Sequence, residues 1–493
     1  MRRLNSNTKL ASRKKAASAN LLPLCVDLDN TLIKTNTIHE AVISLFRRHP
    51  TYSAFWFISW LIRGKAYLWH RLSQLTAINA GLLPYRPEVI QFLKNEREKG
   101  REIVLISGAH QTVVESVANH LGLFDQCFGS GEKVHLVGDA KLRVLIEQYG
   151  AKSFDYIGDS PVDFCIWQEC DTAYIISSNK TLIDKLRRKA EKVELIKPTG
   201  SSWIKSAFKA MRPHQWSKNL LLFAAIFLSH RYQELSLVLA TIQGFIAFSL
   251  CGSAAYLLND ITDLEADRAH EKKRKRPLAA GEISVPATLV LCGLLLTGAF
   301  IGAFTLSLQF TFVLAGYFIL TLLYSLYLKE KLLVDVFVLA GLYTFRVWAG
   351  GTSTNIAISH WALAFFMCLF LSLALAKRYA ELYALSQQEA PTKLRRRGYA
   401  YCDLAFIQIY GCASGLLSTL VIALYLNTPD VRVYYSKPAL LWFVCPLLAY
   451  WSSRLWIIAS RGKLDEDPIL FAVKDKVSYL VAVIIIAIVV LAI

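Results

Sequence analysis

The chain of 493 residues predicts two domains of different class. An N-terminal α/β domain with a mostly parallel sheet precedes an all-α polytopic membrane domain of about nine transmembrane helices. Three observations carry this expectation. Composition changes near Gly200, from mixed charge to long apolar runs. Before that point, short apolar strands alternate with helical segments. After it, apolar runs approach bilayer-spanning length, and Lys and Arg gather in the short segments between them.

The net charge of +18 therefore reads as loop charge of a membrane protein, and nucleic acid is not an expected partner. Ten cysteines are scattered without a CxxC pair, implying neither a disulfide framework nor a zinc site. Residues 1–20 are a basic tail without the apolar core of a secretory signal, which places the N-terminus in the cytoplasm. Residues 21–197 form the α/β domain, with an insert at 39–81. Residues 198–218 are a basic linker suited to an anionic membrane surface, and 219–493 form the membrane domain.

The first strand, in 21–26, ends in Asp27-Leu28-Asp29-Asn30-Thr31. Two carboxylates at i and i+2 just past an apolar strand can converge on one metal. A second strand, 102–106, ends in Ser107-Gly108, and Lys141 follows in Gly138-Asp139-Ala140-Lys141. A third, 154–157, ends in Gly158-Asp159-Ser160-Pro161-Val162-Asp163. Ligands bind at the carboxyl ends of such strands. These four motifs, in this order and spacing, resemble the haloacid dehalogenase (HAD) phosphatases over residues 21–197. The resemblance implies that Asp27 is the nucleophile forming an aspartyl-phosphate and Asp29 the general acid/base. It also implies that Ser107 and Lys141 hold the phosphoryl oxygens, and that Asp159 and Asp163 join Asp27 and Asp29 around Mg²⁺. A carboxylate nucleophile splits one hard step into two, and cations stabilise the phosphoryl oxygens.

The insert places Phe55, Trp56, Phe57, Trp60, Tyr67 and Trp69 among Arg63, Lys65 and Arg71. It is too short and too charged to span a bilayer. Two readings stay open: a helix lying in the membrane interface, which would make the phosphatase substrate a lipid, or the apolar core of a cap, as inserts here form in HAD proteins.

Nine apolar stretches follow, near 219–229, 235–258, 286–306, 310–328, 333–351, 360–376, 403–425, 438–458 and 477–493. Loops after the even-numbered stretches hold most of the Lys and Arg, which puts them in the cytoplasm with the α/β domain. One of them opens on Asn259-Asp260-Ile261-Thr262-Asp263-Leu264-Glu265-Ala266-Asp267. On a continuous helix Asp260, Asp263 and Asp267 fall at i, i+3 and i+7, with Asn259 one turn before Asp263, so all four share a face suited to Mg²⁺. Arg268, His270, Lys273, Arg274 and Arg276 follow at once. Acids for a metal and then dense positive charge are what a pyrophosphate-bearing substrate needs.

Asn-Asp-x-x-Asp-x-x-x-Asp on the second of nine helices resembles the UbiA superfamily of intramembrane prenyltransferases, over residues 211–493. The extension through Arg276-Pro277, with Arg212-Pro213-His214-Gln215-Trp216-Ser217-Lys218-Asn219 and Glu466-Asp467-Pro468, resembles its decaprenyl-phosphate phosphoribosyltransferase branch. Where aromatic prenyltransferases carry a second Asp-rich motif, this chain has the single acid Asp335. Tyr324, Tyr327, Lys329 and Lys331 precede it and Arg346 follows. The resemblance implies Mg²⁺ at Asp260, Asp263, Asp267 and Asp335. It implies substrate contacts from Lys218, Asn259, Arg268, His270, Lys273, Arg274, Arg276, Tyr324, Lys329, Lys331 and Arg346.

The expected activity is Mg²⁺-dependent transfer of 5-phosphoribose from phosphoribosyl pyrophosphate (PRPP) to a polyprenyl phosphate in the plasma membrane, with the HAD domain removing the 5-phosphate. A role in cell-envelope biosynthesis would follow. The alternatives are a prenyltransferase using prenyl diphosphate and an aromatic acceptor, with a phosphatase of separate or regulatory role, and a transporter with a regulatory HAD domain. Homo-oligomerisation is left open.

Overall fold

The computed structural model describes residues 21–48, 52–76, 78–131, 134–200, 202–386, 398–429, 431, 435–464, 471 and 474–493. The basic tail 1–20 and Glu466-Asp467-Pro468 lie outside them. Two compact units result: the described residues up to Ala210 together with Asp260–Leu289, and Met211–Asn259 together with Val290–Ile493.

The first unit is built on six parallel strands: β1 (Leu24–Val26), β2 (Ile103–His110), β3 (Gln126–Ser130), β4 (Asp155–Gly158), β5 (Thr172–Ile175) and β6 (Lys192–Leu195). Their order is β3-β2-β1-β4-β5-β6. The strands expected around 21–26, 102–106 and 154–157 are β1, β2 and β4, three of the four inner strands. Their side chains alternate between two cores. Leu24, Val26, Ile103 and Leu105 enter one, and Cys25, Val104 and Ile106 the other. A sheet covered on both faces needs such continuous apolar runs, which is why these strands were legible. Chain order reverses beside β1, so a crevice opens at the carboxyl ends of β1 and β4.

The insert folds as helices Thr37–Arg48, Ser53–Ile62 and Lys65–Leu75. Ala41, Leu45, Trp60, Leu68 and Leu72 form its own small core, and Trp56 stacks on Trp60 at 5.9 Å. Phe55, Ile58 and Ile62 remain 72%, 58% and 81% exposed. A cap core and an uncovered apolar stripe thus coexist on one helix.

The helix Leu235–Thr262 has 28 residues, about 42 Å at 1.5 Å per residue. That exceeds a hydrocarbon core of about 30 Å. It stops at Thr262: Asp263 has φ −95° and ψ 8° and starts a second helix, Leu264–Ala269. The expectation of one continuous helix face for Asp260, Asp263 and Asp267 is therefore corrected. A short 3₁₀ turn at Lys273–Lys275 follows. Leu264, Leu278, Ala279 and Val285 pack with Ile43 and Ile261 inside the first unit.

Among the described residues six helices are long and apolar enough to cross a membrane: Leu235–Thr262, Val285–Leu306, Leu308–Leu326, His360–Leu385, Tyr401–Leu426 and Pro438–Ser460. The protein is an integral membrane protein. The other three expected spans differ. The stretch near 219–229 is a 3₁₀ segment and a five-residue helix, Ala224–Leu228. Val334–Thr354 is a regular 21-residue helix whose apolar run is broken by the buried Asp335 and Arg346. Lys476–Ala492 is apolar but only 17 residues long. In the second unit small residues let helices close in: Ser372 Oγ donates to Gly411 O at 2.7 Å and accepts Trp456 Nε1 at 3.0 Å.

Candidate active sites

The first site forms where β1 ends. The Asp27 amide donates to Ile157 O at 3.0 Å, which fixes Asp27 between β1 and β4. The loop then turns through Asn30 at φ 58°, a left-handed conformation that Asn tolerates. Lys141 Nζ donates to Asp27 Oδ1 at 2.7 Å and to Tyr156 Oη at 3.0 Å. Tyr156 Oη donates onward to Asp163 Oδ1 at 2.9 Å. Asp159 accepts Thr31 Oγ1 at 3.0 Å. One ligand atom each from Asp27, Asp159 and Asp163 lies within 4.8 Å of the others, the one such group among the described residues. Three hard carboxylate oxygens at that spacing fit Mg²⁺.

Asp29 does not join them. It turns to the start of the next helix, where Thr37 donates its amide at 2.7 Å and its hydroxyl at 3.1 Å. A carboxylate is well placed at a helix N-terminus. Burial first, and then the neighbouring Asp27 charge, push Asp29 up to about 7. Burial, Asp27 and Asp163 push Asp159 to about 7. Asp27 is raised too, chiefly by burial, against the pull of Lys141. Burial would lower Lys141, but Asp27 and Asp163 outweigh it and hold the ammonium charged. These acids resist ionisation together unless a cation sits among them. Ser107 is wholly buried and accepts the Ala109 amide at 3.1 Å.

Sequence reasoning missed Tyr156, the bridge between Lys141 and Asp163. It also missed Arg86, which donates Nε to Asn30 O at 3.1 Å and pulls the Asp159 value down. Tyr156 sits on a strand as an ordinary aromatic, and Arg86 precedes a helix as an ordinary surface charge. Neither carries a local signal.

In the same unit, Asp260 and Asp267 are both 3% exposed and both meet Arg276, Asp260 at 3.1 Å. Burial first, with Arg276 opposing and Asp260 reinforcing, raises Asp267. Asp263 is half-buried at the helix break, and these three acids do not gather as Asp27, Asp159 and Asp163 do. Arg268, expected to contact substrate, instead grips Glu40 with two hydrogen bonds of 2.8 Å. His270, Lys273 and Arg274 are exposed.

In the second unit Arg346 is 7% exposed. It donates to Asn219 Oδ1 at 2.9 Å, Leu342 O at 2.6 Å and Tyr317 Oη at 2.6 Å. Lys218 Nζ stands 5.8 Å from the Tyr343 ring centre. Asn259, Tyr324 and Lys329 are half-buried and Lys331 is exposed. Asp335, expected as a metal ligand, has its charge balanced by Arg378 at 2.7 Å and accepts Tyr399 Oη at 2.5 Å.

A phosphoryl-transfer site at a parallel-sheet switch point and a helical membrane domain define an enzyme of transferase plus phosphatase type. Residues 24–167 match the model of the haloacid dehalogenase-like hydrolases and residues 220–474 that of the UbiA prenyltransferase family. The chain belongs to the UbiA prenyltransferase family and carries an N-terminal HAD-like domain. It is 36% identical to the uncharacterized protein y4nM of Sinorhizobium fredii over 94% of this chain and 90% of that one. Identity to the nodulation protein NoeC of Azorhizobium caulinodans is 32%, over 54% and 86% respectively. Identity to a decaprenyl-phosphate phosphoribosyltransferase of Mycobacterium tuberculosis is 31%, over 56% and 89%.

Proposed function

We propose that the membrane domain transfers 5-phosphoribose from PRPP to a polyprenyl phosphate, and that the HAD domain then removes the 5-phosphate. The observation that carries the phosphatase half is Lys141 bridging the Asp27 carboxylate and Tyr156, with Asp159 and Asp163 alongside. Likeness to the mycobacterial phosphoribosyltransferase and the pairing of Arg276 with Asp260 and Asp267 support the transferase half.

In the transfer step the C1–O bond of PRPP breaks, pyrophosphate leaves, and a lipid phosphate oxygen bonds to C1. That oxygen is already ionised near neutral pH, so no general base is needed. Asp260, Asp263 and Asp267 are assigned to Mg²⁺ on the pyrophosphate, which would have to draw together carboxylates that stand apart in this structure. Arg276 places a guanidinium at the same carboxylates, and Lys273 and Arg274 add charge beside it. Lys218, Asn259, Tyr324, Lys329 and Lys331 are assigned to the phosphates of the two substrates. Arg346 is assigned to holding Asn219 and Tyr317, and Asp335 to pairing with Arg378.

In the phosphatase step Asp27 attacks phosphorus, the 5-oxygen leaves with a proton from Asp29, and water, deprotonated by Asp29, releases inorganic phosphate. A carboxyl group near pH 7 suits both proton transfers. Lys141 and Ser107 orient the phosphoryl oxygens, and Mg²⁺ at Asp27, Asp159 and Asp163 would neutralise them. The exposed Phe55, Ile58 and Ile62 stripe supports a lipid substrate, and the basic loops support a cytoplasmic location for this chemistry.

The test supplies full-length protein with PRPP, polyprenyl phosphate and Mg²⁺. Lipid-linked ribose, pyrophosphate and phosphate should appear. Turnover of prenyl diphosphate with an aromatic acceptor, and none with PRPP, would decide against this reading.

A further inference from the structure

Within the first unit the helix Thr37–Arg48 is gripped from two directions. At its first residue, Thr37 holds Asp29 through amide and hydroxyl. One turn on, Glu40 receives Arg268 NH1 on Oε2 and NH2 on Oε1, each at 2.8 Å, with side chains only 10% and 6% exposed. Glu40 Oε1 also accepts Thr35 Oγ1 at 2.7 Å, and Arg268 Nε donates to Ala279 O at 3.0 Å.

The contact extends beyond this pair. Ile43 packs on Leu264, Leu278, Ala279 and Val285, and Arg47 reaches Glu265 at 2.9 Å. Gly281, at φ +70°, lies so close that an added Cβ would stand 2.6 Å from Lys34 Cβ and 3.2 Å from Lys34 O. A two-pronged ion pair removed from water gives geometric definition more than net stability. A loosely tethered phosphatase would need neither that pair nor an approach of Gly281 to Lys34 that leaves no room for a Cβ.

We propose that Glu40 is a positioning residue shared by both chemistries. By fixing Arg268 it locks residues 260–282 onto the first helix of the phosphatase domain. By fixing the start of that helix it holds Asp29 through Thr37. The phosphatase is thus docked on the acidic segment that carries Asp260 and Asp267. This rests on the phosphatase reading of Asp27 and Asp29 and is independent of which sugar or prenyl donor the membrane domain takes.

The test follows hydrolysis of p-nitrophenyl phosphate by full-length protein in detergent with Mg²⁺, across pH. Glu40→Gln should lower kcat about 10- to 100-fold, as loss of a group supporting a reacting carboxylate does. KM should hold within about twofold, and the limb of the pH profile set by Asp29 should move. Gly281→Ala, which touches neither set of reacting groups, should lower kcat in the same direction. Wild-type kcat and pH profile in both variants overturn the proposal. If Glu40→Arg or Arg268→Glu alone fails to fold, the double variant decides. Recovery of folded, active protein supports the pair, and no recovery overturns it. Absence of hydrolysis by the wild-type protein sinks the phosphatase reading and this proposal with it.

Discussion

Arg378 meets Asp335 at 2.7 Å with both side chains wholly buried. Breaking a buried pair from one side strands the other charge, at a cost of about 3–5 kcal/mol. Arg378→Met should therefore lower the melting temperature of the detergent-solubilised protein sharply. Asp335→Asn with Arg378→Met should recover most of the loss. If Arg378→Met melts like the wild type, the pair is not what holds these helices together.

Asp27→Asn removes the proposed nucleophile while keeping its shape. Phosphate release should fall about 10³-fold or more. With PRPP and polyprenyl phosphate present, the lipid product should retain its 5-phosphate in mass spectra. An unchanged final lipid would break the two-step scheme. Tyr156→Phe, which removes only the hydroxyl between Lys141 and Asp163, should cost about tenfold.

Asp29 and Asp159 both rise from 3.8 to about 7 in the folded protein. The folded state then binds more protons than the unfolded chain between those values. Stability from this source is complete below about pH 4 and lost as pH rises through about 7. In chelator the melting temperature should fall between pH 5 and 8. Added Mg²⁺ should flatten the decline, because it binds the ionised carboxylates. A chelated protein that gains stability over that range would contradict carboxyl groups raised by burial at Asp29 and Asp159.

Arg276→Gln leaves Asp260 and Asp267 buried without their shared cation. Transfer to lipid should drop about 10²-fold, whereas p-nitrophenyl phosphate hydrolysis should drop far less. Equal losses in both assays would mean that Arg276 acts on the fold and not on transfer.

Phe55→Glu with Ile62→Glu removes apolar surface that the cap does not use. If that stripe meets lipid, kcat/KM for a lipid phosphomonoester should fall several-fold and that for p-nitrophenyl phosphate should stay level. Parallel changes in the two substrates would assign the stripe to the cap alone.

What the sequence made legible follows from how local each signal is. β1, β2 and β4 declare themselves because strands covered on both faces need unbroken apolar runs. Asp27, Lys141, Asp159 and Asp163 stand at strand ends or helix starts, where polar residues after such runs have few structural uses. The partners they need come from elsewhere in the chain, and no spacing rule reaches from Lys141 to Tyr156 or from Glu40 to Arg268. The helix break at Asp263 was hidden because the residues 260–267 are all compatible with helix. Arg346 was conspicuous as a charge inside an apolar helix, whereas Arg378 lies just past the expected stretch 360–376 and carries no such signal. Only the fold shows that the first is held by Asn219 and Tyr317 and the second by Asp335.

The surplus length of the helix Leu235–Thr262 has its own consequence. A helix longer than the hydrocarbon core is accommodated by tilt or by local thickening of the bilayer, and either one moves its tip relative to the headgroups. Asp260 is two residues past the end of the apolar stretch, and Arg276 is bound to it. Bilayer thickness is thereby turned into a depth for the carboxylates relative to the headgroups. Acyl-chain length in reconstituted vesicles becomes an adjustable variable of the transfer reaction, a handle that detergent micelles do not offer.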